Sequence, residues 1–256
     1  MTTNTLDITG RLALITGSTR GLGYALATGL AQAGARVVVH GRDPAAVAEA
    51  ARSIGELTGN LPVTSTFDVT DADAAARGIA AIIADHGVPD ILVNNAGIQR
   101  RAPFNDFDAA DWDAIVTTNL SSVFYVSQQV TREMAKRGSG KVINIGSVQS
   151  MLARQTIAPY SATKGAVAML SKGMAGDLAR FNIQVNTISP GYFATEMNRA
   201  LVEDEDFNTW VINRTPAQRW GRVEELVGTL IYLASDASSF VSGQNIFVDG
   251  GMTSVL

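Results

Sequence analysis

Arg11-Leu12-Ala13-Leu14-Ile15-Thr16-Gly17-Ser18-Thr19-Arg20-Gly21-Leu22-Gly23 is the stretch that decides the fold. An apolar run enters three closely spaced glycines, and an Ala/Leu-rich segment to Ala33 follows them. That order reads as strand, tight turn, helix. Glycines in such a turn let the chain bend sharply, bring the backbone close to a bound group and seat the helix on the strand. The helix then offers its N-terminal amides to an anion such as a pyrophosphate.

The same alternation recurs along the chain. Apolar runs over Ala35–His40, Val63–Phe67, Ile91–Asn94, Lys141–Ile145, Gln184–Ile188 and Asn245–Val248 read as further strands. Helical stretches are expected over Gly21–Ala33, Pro44–Leu57, Asp71–Asp85, Asp108–Val116, Asn119–Arg137, Tyr160–Arg180 and Val223–Ala234. Gly34 suits the end of the first helix and Pro44 the start of the second. Near-continuous apolar strands joined by helices predict an α/β, doubly wound (Rossmann) parallel sheet of about seven strands, with helices on both faces. No Pro/Ser/Gly-rich linker or charge block divides the 256 residues, so residues 1–256 read as a single domain.

Composition removes several function classes. A net charge of −4 without a basic stripe gives a nucleic acid nothing to bind. No apolar stretch reaches the roughly 18 residues that span a bilayer. The start, MTTNTLDITG, lacks a cationic segment followed by an apolar run, so no secretory signal is expected and the compartment is expected to be cytoplasmic. With no cysteine, disulfides, thiolate zinc sites and a cysteine nucleophile are excluded. His, Asp and Glu show no ligand spacing, so no metal is expected. Of the two histidines, His86 ends a helix, where the macrodipole favours it; His40 ends a strand without an evident companion.

The chemistry concentrates in Tyr160-Ser161-Ala162-Thr163-Lys164, preceded by Ser147. On a helix Tyr160 and Lys164 share a face. A neighbouring ammonium favours the phenolate and lowers the tyrosine pKa from its ordinary value near 10. Tyr160 can then give a proton to a carbonyl or take one from an alcohol, and Ser147, just past a strand, can hold the substrate oxygen. Ser161-x-x-Lys164 also spells an acyl-transfer nucleophile pattern, but its companions S-D-N and K-T-G are missing. The end of the second strand, His40-Gly41-Arg42-Asp43, has no terminal carboxylate to take a ribose 2′-hydroxyl. Arg42 and Arg20 are suited to a 2′-phosphate, so NADP is expected over NAD.

In these residues the whole chain resembles the short-chain dehydrogenase/reductase family. TGSTRGLG is similar to its TGxxxGxG turn, and Asn94-Asn95-Ala96-Gly97 to its NNAG strand end. The resemblance implies catalytic roles for Asn119, Ser147, Tyr160 and Lys164, with Asn119 in a proton relay and Lys164 also on the nicotinamide ribose. It implies cofactor contacts from Gly17, Ser18, Thr19, Arg20, Gly21, Leu22, Gly23, Arg42, Asp68, Val69, Asn94, Ala96, Gly97, Pro190, Gly191, Phe193 and Thr195. It further implies a homotetramer. Within the family, the stretches 94–101, 147–150, 194–197, 201–205 and 214–217 are similar to those of members acting on sugar acids. The gluconate/5-ketogluconate pair, or a related sugar acid, is therefore the expected substrate. A 3-oxoacyl thioester is the alternative, and a non-catalytic NADP-binding sensor a more distant one. A carboxylated substrate needs a guanidinium partner; Arg100 or Arg101, just past the fourth strand, and Arg154, just past Ser147, are expected to supply it, with Arg100 taken as the contact beside Gln149. Met151 departs from that subgroup, which has a glutamate there. The acidic insert Tyr192–Pro216, with apolar Met197, Leu201, Phe207 and Trp210, is expected to be helical and to act as a lid.

Overall fold

The computed structural model describes residues 4–195 and 198–255; Glu196 and Met197 of the expected lid lie outside them. Seven strands form one parallel sheet: β1 (Leu12–Ile15), β2 (Arg36–Gly41), β3 (Val63–Thr66), β4 (Ile91–Asn94), β5 (Gly140–Ile145), β6 (Ile183–Pro190) and β7 (Asn245–Val248). Their order is β3-β2-β1-β4-β5-β6-β7. The chain winds outward one way from β1 and the other way from β4, so the switch point lies between those two strands. Ligands of such sheets bind beyond the strand carboxyl ends at that point.

Side-chain alternation sorts each strand into two cores. Ala13, Ile15, Val37 and Val39 face one layer, with Leu26 and Leu30 of α1 (Gly21–Gln32), Ile54 of α2 (Pro44–Thr58), and Leu230 and Leu233 of α9 (Val227–Ala234). Leu12, Leu14 and Val38 face the other, against Ile79 and Ile82 of α3 (Ala72–His86) and Val126, Val130 and Met134 of α5 (Ser122–Arg137). Each fully buried aliphatic side chain contributes about 1.5–3 kcal/mol, which is why both faces of the central strands are apolar. Edge strand β3 alternates between partly buried and exposed residues, and its polar Thr64-Ser65-Thr66 reflects that position.

Three boundaries differ from expectation for physical reasons. Phe67 leaves the third strand and packs its ring against His40, with centroids 4.1 Å apart. The helix bearing Tyr160, α6 (Ala158–Leu178), starts two residues early, with Pro159 in the first turn, where its missing amide costs nothing. The expected helices on either side of Asn119 are one run, because a π-turn over Thr117–Ser121 joins α4 (Ala109–Val116) to α5. Asn119 is thus no helix cap. The insert carries α7 (Arg199–Val202) and α8 (Glu205–Arg214).

Candidate active site

Gly17 and Gly21 have φ of +63° and +56°, the left-handed region that side chains disfavour. A methyl group on Gly23 would overlap Gly17 O and Asn95 Nδ2. Asn95 Nδ2 donates to both Thr16 O and Gly17 O at 3.0 Å, and Thr16 Oγ1 accepts the Asn95 and Ala96 amides at 3.0 and 3.1 Å. The β4 end is thereby bolted to the turn. Asn95 was not among the expected site residues; its place beside Asn94 in the NNAG stretch was the available signal.

Ser18 needs correction as a direct ligand contact through its side chain. Its hydroxyl is turned inward, donating to Ile15 O at 2.8 Å and accepting the His40 amide at 2.9 Å. His40, which had no evident companion in the sequence, is a brace. Its Nδ1 accepts the Gly17 amide at 3.2 Å, and its Nε2 bonds Phe67 O at 3.1 Å. The carbonyl can only accept and the amide can only donate, so the ring is neutral with its proton on Nε2. Desolvation holds its pKa down to about 4, against the hydrogen bond to Phe67 and the nearby Asp68. A depressed histidine pKa means that the unfolded chain binds the proton first as the pH falls. Stability is therefore lost from pH 6.5 toward pH 4. Urea unfolding is expected to show about 2–3 kcal/mol more loss between pH 7 and 4.5 in the wild type than in His40→Gln; equal losses would remove His40 from this role.

On the outer side, a methyl group on Gly21 meets nothing within 4 Å, and Arg20 and Arg42 are exposed, so the turn leaves an open cradle. Asp43, the carboxylate nearest the β2 end, is spent as the α2 cap, accepting the Ala45 and Ala46 amides at 2.9 and 3.4 Å. Asp68 Oδ1 is likewise held by Thr70, through its amide at 2.9 Å and its hydroxyl at 2.7 Å, with Arg42 3.8 Å from Oδ2. Exposed Arg20 on the turn, and Arg42 past the β2 end where both nearby carboxylates are already engaged, fit a 2′-phosphate better than a ribose hydroxyl.

Three other expected contacts are restricted. Val69 and Phe193 are buried in the two cores, so only their backbones can face a cofactor. The Asn94 amide is spent on Ser127 Oγ and Asn144 Oδ1, both at 2.8 Å. Gly191, whose amide bonds Val248 O at 3.0 Å, lies where a Cβ would press on the Asp249 backbone at 2.8 Å, and Thr195 Oγ1 accepts the Asn198 amide at 3.3 Å. Leu22 packs on the core below the turn.

The four expected catalytic residues converge at the carboxyl ends of β4 and β5. Ser147 lies beside the Tyr160 side chain and pulls its pKa down; its hydroxyl accepts the Gln149 amide at 3.1 Å, and its amide donates to Ser189 Oγ at 3.2 Å. Lys164 is buried, donates to Ile145 O at 2.7 Å and lies 5.6 Å from the Tyr160 ring centre. Desolvation lowers its pKa to about 8, so at neutral pH it keeps its proton at a cost of about 3 kcal/mol against water. The direction for Tyr160 reverses the expectation. Burial raises its pKa above 10, Ser147 pulls it down and Tyr192 pushes it up. The Tyr160 side chain is half-buried. Asn119 grips the chain at Ile98, accepting its amide at 2.8 Å and donating to its carbonyl at 2.9 Å. Gly97 lies against the same Asn119 side chain.

The arginine assignment shifts by one residue. Arg100 is exposed and pairs with Asp111 at 3.4 Å, so it is corrected from a substrate contact to an outward charge. Arg101 is exposed too and donates to Gln99 Oε1 at 3.4 Å, but it lies close enough to Arg154 and Tyr192 for their charges to be felt. Burial and Arg154 both depress its pKa, while Tyr192 raises it. The Arg154 guanidinium stacks 5.2 Å over Phe207, and its Nε is buried without a hydrogen-bond partner. Gln149 Oε1 is orphaned in the same way. Tyr192, Phe207, Trp210 and Trp220 form one aromatic cluster with centroids 5.5–6.3 Å apart. The two like charges of Arg101 and Arg154, with two unpartnered buried atoms on Arg154 and Gln149, suit an anionic, hydroxyl-bearing ligand. Met151 is exposed.

Comparison with known proteins agrees with this geometry. A family model described as enoyl-(acyl carrier protein) reductase matches residues 17–253. The chain is 55% identical over 247 residues to a gluconate 5-dehydrogenase of Gluconobacter oxydans, covering 96% of each. It is 51% identical over 246 residues to a 5-keto-D-gluconate 5-reductase of Escherichia coli K12, again covering 96% of each. A crystal structure of a gluconate 5-dehydrogenase from Burkholderia cenocepacia, in complex with NADP and tartrate, superposes with a TM-score of 0.96 at 54% identity, covering 99% of both chains.

Proposed function

Because the chain belongs to the short-chain dehydrogenase/reductase family, we propose that it is an NADP(H)-dependent oxidoreductase interconverting gluconate and 5-ketogluconate, or a closely related sugar acid. The observation that carries the substrate class is the Arg101–Arg154 pair, both of whose charges reach Tyr192, which in turn acts on Tyr160. Relatives named for gluconate and 5-ketogluconate, and a tartrate- and NADP-bound neighbour, support the same reading.

Gly17, Thr19, Arg20, Gly21 and Gly23 would hold the dinucleotide, with Arg42 at the 2′-phosphate and Lys164 toward the nicotinamide ribose. The bound cofactor supplies the hydride in reduction and accepts it in oxidation. Ser147 holds the carbonyl oxygen while Tyr160 donates its hydroxyl proton to it; in oxidation Tyr160 takes the alcohol proton. Lys164 supplies the positive charge that opposes the effect of burial on Tyr160. The Asn119 amide is spent on Ile98, so a proton relay through this residue uses its backbone carbonyl, which the π-turn takes out of regular helical pairing. The segment 192–216 acts as a lid, with Phe207 closing over Arg154 and excluding water from the reacting oxygen.

The test follows NADPH absorbance with 5-ketogluconate, a neutral ketose and a 3-oxoacyl thioester. Turnover of the keto acid at least about 100-fold above the neutral ketose is expected, corresponding to a charged contact of about 3 kcal/mol. Preference for the ketose or the thioester would reject the sugar-acid assignment.

A further inference from the structure

The amino-terminal edge of the sheet, opposite the candidate active site, holds a cavity of about 330 Å³ that the proposed reaction does not use. Arg11, Asp90 and Lys141 line it from the starts of β1, β4 and β5; Asp236 joins them from the turn after α9, and Arg137 from the end of α5. Both carboxylates are already engaged. Arg11 meets Asp236 at 2.7 Å and Arg137 meets Asp90 at 2.9 Å, while Asp90 Oδ2 accepts the Leu12 amide at 2.8 Å. Arg137 also donates to the Val88, Pro89 and Ser139 carbonyls.

Lys141 is the exception. It is 6% exposed, and its ammonium donates one hydrogen bond, to Ser238 Oγ at 3.2 Å. No carboxylate among the described residues pairs with it. An ammonium carries three donors, so two remain unused in a site where an unpaired buried charge is costly. Burial lowers its pKa to about 8; Arg11 pushes the same way and Asp236 opposes. With three cations against two engaged carboxylates, the cavity is left with an excess positive charge.

We propose that this cavity binds a small phosphorylated metabolite, with its phosphoryl group on the Lys141 ammonium. A phosphate dianion matches a point-charge donor with free hydrogens, and the cavity leaves room for a few further heavy atoms. An anion beside Lys141 raises the pKa of the amine, so binding takes up a proton and affinity falls as pH rises above about 8.

The test uses the NADP-saturated enzyme, in which the cofactor's phosphates occupy their own site. Trace acetic anhydride labels lysine amines, and peptide mass mapping reads Lys141 against exposed Lys136 and Lys172. Inorganic phosphate replaces chloride at constant ionic strength. Labelling of Lys141 alone is expected to slow about tenfold when phosphate reaches ten times its Kd, and this protection is expected to weaken above pH 8. Phosphate is also expected to raise the Tm of the wild type but not of Lys141→Met, whose turnover stays unchanged. Equal labelling with and without phosphate, or equal Tm gains in both proteins, would overturn the site. Equal protection by acetate would overturn the phosphoryl assignment.

Discussion

Tyr160→Phe is expected to lose about 10²–10⁴-fold in kcat, the range that positioned proton transfer supplies, while the dissociation constant for NADPH stays within about twofold. The change deletes one oxygen and nothing else. That oxygen lies beside Ser147, and burial of the side chain pushes its pKa up. The phenylalanine variant loses one hydrogen bond worth about 0.5–1.5 kcal/mol and is relieved of desolvating a hydroxyl, so its Tm should move little. Fluorescence titration of NADPH and stopped-flow absorbance separate binding from chemistry. If the variant turned over the keto acid at the wild-type rate, the proton donor would have to be another group.

The raised pKa also sets the pH dependence. In the alcohol-oxidising direction Tyr160 must be deprotonated to act as base, so the rate is expected to climb with pH through the neutral range. In the reducing direction the protonated form is the donor, and it persists well above neutrality. Lys164, held to about 8 by desolvation, is charged through neutrality and loses its proton above about pH 8, and its ammonium lies 5.6 Å from the Tyr160 ring. A sequence spacing of four gives the proximity of these two groups; it cannot give the dielectric around them, and this is why the tyrosine shift was read with the wrong sign.

Other gaps between sequence and structure have the same kind of cause. The turn at Gly17–Gly23 was legible because glycine reports local geometry, and the unbroken apolar run Leu12–Ile15 reported two buried faces. His40 and Asn95 were not legible as braces, because their partners lie far along the chain: Phe67 O for His40, and Thr16 O and Gly17 O for Asn95. Local pattern carries no record of such pairings. The π-turn at Asn119 shifts the helical register by one residue and so interrupts the apolar period, which is why the one run read as two helices. Ser18 and Asn94 sit inside recognisable motifs, yet their side chains serve the scaffold. Motif membership located these residues without saying which way each side chain turns.

The arginines were the least legible, and they carry the second large effect. Arg100 and Arg101 are neighbours in a loop without a repeating period, so spacing could not choose between them; their partners do, since Arg100 meets Asp111 while Arg101 feels the charge of Arg154. Arg101→Ala and Arg154→Ala are each expected to raise KM for 5-ketogluconate about 30–1000-fold, the consequence of losing about 2–4 kcal/mol of charge-assisted contact. Arg100→Ala, which removes an exposed partner of Asp111, should stay within about twofold. The ligand-free protein should respond in the opposite sense. Arg101 and Arg154 repel each other across a partly buried space, so removing either one relieves repulsion, and Tm should hold or rise even as KM worsens. A folding defect cannot produce that combination. Any residual turnover of a neutral ketose should be nearly unaffected by the same substitutions, since it offers no carboxylate to lose. Equal damage to charged and neutral substrates would mean that these guanidiniums shape the pocket without recognising an acid.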